Sequence, residues 1–181
     1  MFIYIIIIGV LIVGFIYIYN RLVRLRNAIR EAASGVEVQL KRRYDLVPNL
    51  ITTIKGYAGH EKGLFEKVAE VRATCINTQG LSNKVELENQ LAFGIDKLIA
   101  VAENYPELKA GENFLKLQKD LFELEDSIQY ARRYYNAVVR DFNNTVETFP
   151  GLLVAKLFNF KREAFFELKE AAEREVVAAK F

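Results

Sequence analysis

The sequence predicts an all-α protein: an elongated antiparallel helical bundle with one N-terminal transmembrane helix that continues into the bundle. Three observations support this fold class. An uncharged apolar run opens the chain, apolar residues beyond it recur at helical spacing, and only ten glycines and three prolines interrupt 181 residues. No stretch of the sequence shows the sustained period-two alternation of a sheet. We assign residues 1–19 to the transmembrane helix and 20–181 to one helical-bundle domain.

The run from Met1 to Tyr19 has the length and composition of a membrane span. Thirteen of its nineteen residues are Ile, Leu, Val or Phe, and none is charged. At about 1.5 Å per residue the run reaches roughly 28 Å, close to the roughly 30 Å hydrocarbon core of a bilayer. Tyr4 near one end and Tyr17 near the other are placed for the two membrane interfaces. A cleaved signal peptide is the alternative, but no basic residue precedes the run and no A-x-A-like site closes it.

Basic residues cluster just after the span. Residues 21–43 carry seven Lys or Arg against two Glu, a balance of +5, which leaves −3 for the rest of a chain whose net charge is +2. The positive-inside rule places this flank in the cytoplasm, so we expect a single-pass protein of the cell membrane with a short external N-terminus and a cytoplasmic C-terminal domain. The arginines nearest the span are also placed to attract anionic lipid of the bilayer. They are Arg21, Arg24, Arg26 and Arg30.

The helix is predicted to continue out of the membrane as a stalk. After Asn20, five apolar residues follow spacings of 3, 4, 3 and 4, the a/d pattern of a packed helix. These seam residues are Leu22, Leu25, Ile29, Ala32 and Val36. The seam can pair between subunits or pack on the bundle of its own chain. Pro48, which has no amide proton, is predicted to kink or restart the helix, with Asp45 as the cap of a new one.

Four further helical segments and a short apolar one follow, each carrying an apolar stripe. Long helices joined by short connections pack antiparallel with their stripes inward. The predicted helices are at about 46–78, 83–103, 113–148 and 161–179, with one or two helical turns within 152–160. Turn-forming stretches at 79–83, 104–106 and 149–151 separate them.

The sequence shows no pattern typical of catalysis or metal binding. His60-Glu61 matches the start of H-E-x-x-H, but residue 64 is Leu, and the chain has only one His and one Cys. Cys75 lies in a helical run and is interpreted as a small buried hydrophobe. P-loop, G-x-S-x-G and G-x-G-x-x-G motifs do not occur in the sequence, so we expect a non-enzymatic protein without a cofactor or metal. The small net charge gives no reason to expect nucleic-acid binding.

Polar residues interrupt the apolar stripes of several predicted helices. Asn is a poor helix former, so repeated Asn within helices indicates a buried hydrogen-bond network that fixes helix register. The alternative is a polar groove for a partner. The network candidates are Asn49, Tyr57, Asn113, Tyr135, Asn136 and Asn143.

Three separated stretches resemble the signatures of the LemA family. They are VQLKRRYDLVPNL at 38–50 with KGYAGHE at 55–61, the stretch at 104–143 that begins NYPELKAGENF, and FPGLLVAKLFNF at 149–160. The resemblance covers essentially the whole chain. It implies a helical bundle behind one membrane helix and brings no catalytic residues with it. Glu37 stands where the family usually has Asp, Phe142 where it has Tyr, and Asn159 where it has Gly.

Two hypotheses for function follow. The first is a non-enzymatic, membrane-anchored helical scaffold that self-associates at the membrane as a homo-oligomer. The second is a membrane-tethered adaptor or sensor that recruits another, unidentified protein. The second hypothesis expects an exposed groove along the last predicted helix, where Phe165, Phe166 and Leu168 come close together.

Overall fold

A computed structural model of the chain describes residues 2–166 and confirms the all-α fold class. The described residues form six helices and no strand. The helices are α1 (Phe2–Lys55), α2 (Lys62–Asn77), α3 (Leu81–Glu103), α4 (Pro106–Lys109), α5 (Glu112–Glu147) and α6 (Gly151–Leu157). The described residues divide into two compact units, to both of which α1 and α5 contribute. Unit 1 contains 2–42 and 122–165, and unit 2 contains 43–121 and 166.

The first part of α1 has the character of a membrane span. Every residue from Phe2 to Tyr17 is exposed, although the stretch is strongly apolar. A helix in the core of a soluble protein passes the same composition test, but it is buried, whereas the most apolar window of α1 has no buried residue. α1 is therefore long and apolar enough to cross a membrane, and its exposed face suits lipid as the solvent.

Beyond the span, the predicted seam of α1 is buried within unit 1. Leu25 is half-buried, and the other four seam residues are no more than 6% exposed. α5 lies beside this part of α1, since residues of both helices line one groove. The seam therefore packs on the chain's own fold, which favours the intrachain alternative over pairing between subunits.

The predicted start of a new helix at Pro48 is wrong. α1 continues to Lys55, and no helix begins near residue 46. A proline removes the N–H that would bond the carbonyl four residues before it, here that of Tyr44. Arg72 of α2 supplies the missing donor, with its Nε 2.6 Å from the Tyr44 carbonyl oxygen. Since that carbonyl keeps a partner, α1 runs through Pro48, and the break before α2 lies at 56–61 instead.

A double-mutant cycle tests this substitution of one donor for another. We expect Arg72→Ala to destabilise unit 2 by about 1.5–3 kcal/mol, because a carbonyl loses a charged donor. In a Pro48→Ala background the restored N–H takes over that carbonyl, so Arg72→Ala should cost about 0.5–1.5 kcal/mol less. Urea unfolding in detergent, followed by circular dichroism, measures both values. Equal costs in the two backgrounds would show that Arg72 acts in some other way.

The core of unit 2 brings α2 and α3 into close contact. The buried stripe of α2 includes Val68, and that of α3 includes Gly94. A Cβ added at Gly94 would lie 2.8 Å from Cγ2 of Val68, so only glycine permits this approach without a shift of the neighbouring side chain. The third predicted helix, about 83–103, corresponds to α3.

The C-terminal part of the chain departs from the prediction. α5 and α6 match the predicted segments at 113–148 and 152–160, whereas the short helix α4 was not predicted. Residues 161–166, the start of the predicted last helix, are not helical. The remainder of that helix, including Leu168, lies outside the described residues. Phe166 is buried and Phe165 half-buried, so Phe166 is not part of an exposed groove.

Side chains of α5 explain why residues 161–166 are not helical. Asn143 Nδ2 donates to the Glu163 carbonyl at 2.9 Å, and the Glu163 N–H donates back to Asn143 Oδ1 at 2.9 Å. The Tyr135 hydroxyl donates to the Ala164 carbonyl at 3.0 Å. These bonds satisfy backbone groups that a helix would otherwise pair within itself. Residues 163 and 164 are therefore fixed along α5 in unit 1.

Candidate functional site

A cluster of buried polar side chains lies in the core of unit 2. Arg43 of α1 and Glu88 of α3 form an ion pair, with the guanidinium 3.2 Å from Glu88 Oε2. The two side chains are 3% and 0% exposed. The Tyr44 hydroxyl donates a hydrogen bond to the other oxygen, Glu88 Oε1. The ammonium group of Lys84 lies 5.8 Å from the centre of the Tyr44 ring.

Burial dominates the electrostatics of this cluster. It lowers the pKa of Arg43, although the nearby Glu88 carboxylate opposes that shift. Burial, together with the hydrogen bond to Glu88 and its charge, raises the pKa of the Tyr44 hydroxyl. The same causes raise the pKa of the Cys75 thiol to about 12. Cys75 is therefore a protonated, fully buried thiol at neutral pH, in agreement with its interpretation as a small hydrophobe.

The chemistry of this cluster is that of a closed structural network. The Glu88 carboxylate is engaged at both oxygens, and its side chain has no exposed surface. Among residues 2–166, no group of three or more His, Cys, Asp or Glu is arranged to hold a metal ion. His60 and Glu61, the partial H-E-x-x-H match, are both exposed in the break between α1 and α2.

The six candidates for a polar network fall into different parts of the fold. Tyr135 and Asn143 are buried in unit 1, where they hold the backbone of residues 163–164. Asn136 is half-buried beside them in sequence on α5. Asn49, Tyr57 and Asn113 are exposed in unit 2. Tyr135 and Asn143 fit the interpretation as a buried hydrogen-bond network, although the bonds reach only residues 163–164. Asn49 and Asn113 fit the alternative of a polar groove.

Asn49 and Asn113 line a shallow groove in unit 2. The groove has a volume of about 390 Å³ and lies between α1 and the start of α5. Six of its eight lining residues are polar or charged: Asn49, Thr52, Thr53, Asn113, Lys116 and Asp120, with Leu46 and Leu117 as the other two. The threonine hydroxyls donate to backbone carbonyls of α1 itself, one turn earlier. Asn49 and Asn113 thus provide the amide groups that face this groove.

A second groove, in unit 1, lies beside exposed aromatic side chains of α5. It has a volume of about 610 Å³ and is lined by α1 residues 31–39 and α5 residues 126–134. Tyr130 and Tyr134 line it and are 68% and 50% exposed. Phe122, two turns before Tyr130 on α5, is 72% exposed. We refer to Phe122, Tyr130 and Tyr134 as the aromatic face of α5.

Aromatic rings also gather where α1 leaves its exposed apolar stretch. The Phe158 ring, just after α6, has its centre 4.6 Å from that of Tyr19 and 5.9 Å from that of Phe15. The Phe160 ring lies 6.1 Å from Tyr19 and 6.4 Å from Phe142. We call these five residues the aromatic cluster. It fixes the end of α6 beside the last turn of the candidate span.

One of the four basic residues that flank the span contacts this aromatic cluster. Arg21, Arg24 and Arg30 are exposed, as expected for residues off the seam. Arg26 is half-buried, and its guanidinium carbon lies 5.0 Å from the centre of the Phe160 ring, a cation–π geometry. Arg26 therefore holds the segment after α6 against α1, a role the sequence does not indicate.

The stretches that resemble LemA signatures lie in α1 and the break after it, in α4 and α5, and around α6. A comparison with protein-family models tests that resemblance. The model described as LemA family matches residues 32–181. The chain belongs to the LemA family. The match begins at Ala32, within the seam, and includes the polar cluster, the groove of unit 2 and three members of the aromatic cluster, Phe142, Phe158 and Phe160.

Curated relatives agree with the family assignment. The chain is 28% identical to Protein LemA of Metamycoplasma hominis, over 86% of this chain and 73% of that protein. It is 24% identical to Magnetosome protein MamQ 2 of Paramagnetospirillum magneticum and 22% identical to Magnetosome protein MamQ of Magnetospirillum gryphiswaldense. Each of these two matches covers 88% of this chain and 68% of the relative. Together with the N-terminal span, these matches describe a membrane-associated helical protein of the LemA family.

One departure from the LemA signature has a visible structural counterpart. Asn159 stands where the family usually has Gly, and its φ of 55° lies in the left-handed region. Glycine adopts this conformation most easily, and Asn is among the best tolerated of the other residues. Asn159 therefore preserves the turn that directs the chain from α6 to Phe160 and the aromatic cluster.

Proposed function

We propose that this LemA-family chain is a non-enzymatic scaffold, anchored in the cell membrane by α1, that self-associates there as a homo-oligomer. The continuity of α1 is the observation that carries the proposal. A single helix supplies both the exposed apolar residues 2–17 and the buried seam of unit 1. The part of unit 1 beyond the span is therefore joined to the span by a continuous helix rather than by a flexible linker. This rigid connection suits a protein that organises copies at a membrane.

The surface proposed for self-association is the aromatic face of α5. The α1 seam is buried within the chain and is not available to a second copy. Phe122, Tyr130 and Tyr134 remain exposed, and large aromatic side chains are enriched in protein–protein interfaces. Anchoring confines all copies to one plane and raises their effective concentration, so a modest interface is sufficient.

The proposed orientation places unit 2, and the part of unit 1 beyond the span, in the cytoplasm. The balance of +5 over residues 21–43 supports this through the positive-inside rule. Arg21, Arg24 and Arg30 are exposed close to the end of the span, where they can meet the anionic cytoplasmic leaflet.

Cysteine crosslinking of the full chain in vesicles tests the proposed interface. We expect Tyr130→Cys to give a covalent dimer with a short bis-maleimide, because copies meet at the aromatic face of α5. The native Cys75 is fully buried and does not compete for the reagent. Glu37→Cys is the matched control, since Glu37 is exposed on α1 but is turned about 200° from the groove residue Gly35. Adding Phe122→Ser and Tyr134→Ser should remove the crosslink at residue 130.

Two results would contradict the scaffold proposal. Equal crosslinking at residues 37 and 130 would indicate random collision, and no crosslinking at residue 130 would remove the proposed interface. The Glu37→Cys variant also reports orientation. A membrane-impermeant maleimide should label it in inverted vesicles and not in intact cells, and labelling of intact cells would place the fold outside.

The groove of unit 2 favours a second candidate function, an adaptor that binds another protein. Asn49 and Asn113 offer amide donors and acceptors to an extended peptide, and Lys116 and Asp120 add charge of both signs. A photo-crosslinking residue at position 113 of the full chain separates the candidates. A stoichiometric heterologous partner there would favour the adaptor, whereas crosslinks to further copies of this chain alone would favour the scaffold.

A further inference from the structure

The segment after α5 exposes large apolar side chains to an unusual extent. Phe149 is 80% exposed, Leu153 60%, Leu157 69% and Phe158 47%. Leu153 and Leu157 lie four residues apart, on one face of α6. The other face of α6 is buried in unit 1. α6 is therefore apolar both towards the fold and towards its surroundings, whereas the outward face of a helix in water is ordinarily polar.

The position of α6 relative to the span indicates what covers this outward face. Phe158, the residue that follows α6, contacts the rings of Phe15 and Tyr19. Phe15 belongs to the last turn of the exposed apolar stretch of α1, and Tyr19, which is half-buried, lies two residues beyond that stretch. The apolar face of α6 therefore lies next to the apolar surface of the span, and the two form one continuous apolar surface.

Helix dimensions place this junction at the edge of the hydrocarbon. The residues from Phe2 to Tyr19 extend over roughly 27 Å of helix, so a span that fills a roughly 30 Å core brings Tyr19 to the interface with the headgroups. Tyr is suited to this level, where its ring meets lipid and its hydroxyl meets water. α6 reaches the same level through Phe158.

The charges around α6 suit an anionic lipid surface. Lys156 of α6 and Lys161, just after Phe160, are exposed, and Arg21 and Arg24 are exposed on α1 within five residues of Tyr19. Arg162, in contrast, is paired with Glu147 at 2.8 Å. An apolar face rimmed by exposed Lys and Arg is the pattern of helices that lie in the plane of a membrane interface.

We propose that α6 forms a second membrane contact, in which Leu153, Leu157 and Phe158 insert at the boundary between headgroups and acyl chains of an anionic phospholipid bilayer. Phe149 flanks this contact. The proposal rests on the membrane span of α1 but is independent of self-association. With this contact, unit 1 is bound to the membrane at two points, α1 and α6. Two points fix the tilt of unit 1 relative to the bilayer as well as its distance from it.

Tryptophan fluorescence tests this contact cleanly because the chain contains no Trp. The full chain carrying Leu157→Trp is reconstituted in vesicles of phosphatidylcholine and phosphatidylglycerol in equal parts. Bromine atoms on the lipid, placed either near the headgroup or near the chain end, serve as contact quenchers. Tyr130→Trp is the matched control, since it is equally exposed in unit 1 but lines a groove with Gly35, which lies 16 residues or about 24 Å along α1 beyond Tyr19. Ile12→Trp reports the span itself.

We expect Leu157→Trp to emit at shorter wavelength and to lose roughly half of its intensity with bromine near the headgroup, and less with bromine near the chain end. Tyr130→Trp should be unaffected by either lipid. A water-like, unquenched emission from Leu157→Trp, alongside quenching of Ile12→Trp, would overturn the α6 contact and leave the anchored scaffold intact. A blue-shifted but unquenched emission would show that protein, such as a second copy, covers α6, and would also overturn it. Failure of Ile12→Trp to be quenched would overturn both the span and the contact.

Discussion

Glu88→Ala should destabilise the protein by about 3–5 kcal/mol, the largest effect that we expect from a single side chain. The substitution removes the carboxylate that faces the buried Arg43 guanidinium and accepts the Tyr44 hydrogen bond. A buried charge that has lost its counter-ion is far more costly than the pair is favourable. The midpoint of urea unfolding in detergent, followed by circular dichroism, measures the change.

Two further variants identify the cause of that loss. Glu86→Ala removes an exposed carboxylate from the same helix and should change stability by less than about 0.5 kcal/mol. The double variant Arg43→Met with Glu88→Leu removes both charges and should recover most of the stability, because an apolar pair of similar volume can replace a buried ion pair. If Glu88→Ala were no worse than Glu86→Ala, the buried ion pair would have no structural role.

Gly35→Pro should destabilise the protein by about 3 kcal/mol or more, whereas Gly35→Ala should stabilise it by about 0.5–1 kcal/mol. Gly35 is exposed in the middle of α1, between the span and the end of the helix. Proline there removes a donor from the carbonyl of residue 31 and clashes with the preceding turn. A Cβ at Gly35 meets nothing within 4 Å, so alanine gains helix propensity without a steric penalty. The same unfolding measurement compares the two.

The pair of substitutions distinguishes a continuous helix from a hinge at Ser34-Gly35. In a continuous helix, alanine is favourable and proline is not. If residue 35 were a hinge, proline would be tolerated and alanine would give no gain. Pro48 differs from a proline at residue 35, because Arg72 donates to the Tyr44 carbonyl that the missing N–H of Pro48 leaves without its helical partner.

Patterns local in sequence predicted most of the helical structure. The uncharged run identified the exposed apolar part of α1, which is long enough to span a membrane, and the 3–4 spacing of the seam identified residues that are buried in unit 1. Pro48 could not be interpreted in this way, because its compensating donor comes from Arg72, on a different helix. The same holds for residues 161–166, which are non-helical because Tyr135 and Asn143 of α5 bind their backbone.

The buried polar cluster could not be predicted from hydropathy, because two residues of the buried stripe of α3, Lys84 and Glu88, are charged. Hydropathy favours Leu87 for the buried stripe, whereas the structure leaves Leu87 half-buried and buries its neighbour Glu88 completely. The spacing did contain a signal: Lys84 and Glu88 continue the pattern of 3 and 4 that leads to Leu91. A charged residue at such a position needs a partner, but the sequence alone does not indicate that the partner is Arg43 of α1.

The continuity of α1 from the bilayer into unit 1 is tested most directly by spin labelling of the full chain in vesicles, one residue at a time over 10–36. The buried Cys75 does not take the label. We predict high oxygen accessibility up to residue 17, then a 3.6-residue period with minima at Leu22, Ile29 and Val36, and no mobile spectra in between. Mobile spectra without periodicity at residues 17–22 would instead show a flexible linker between the span and the fold, and would contradict the anchored scaffold described above.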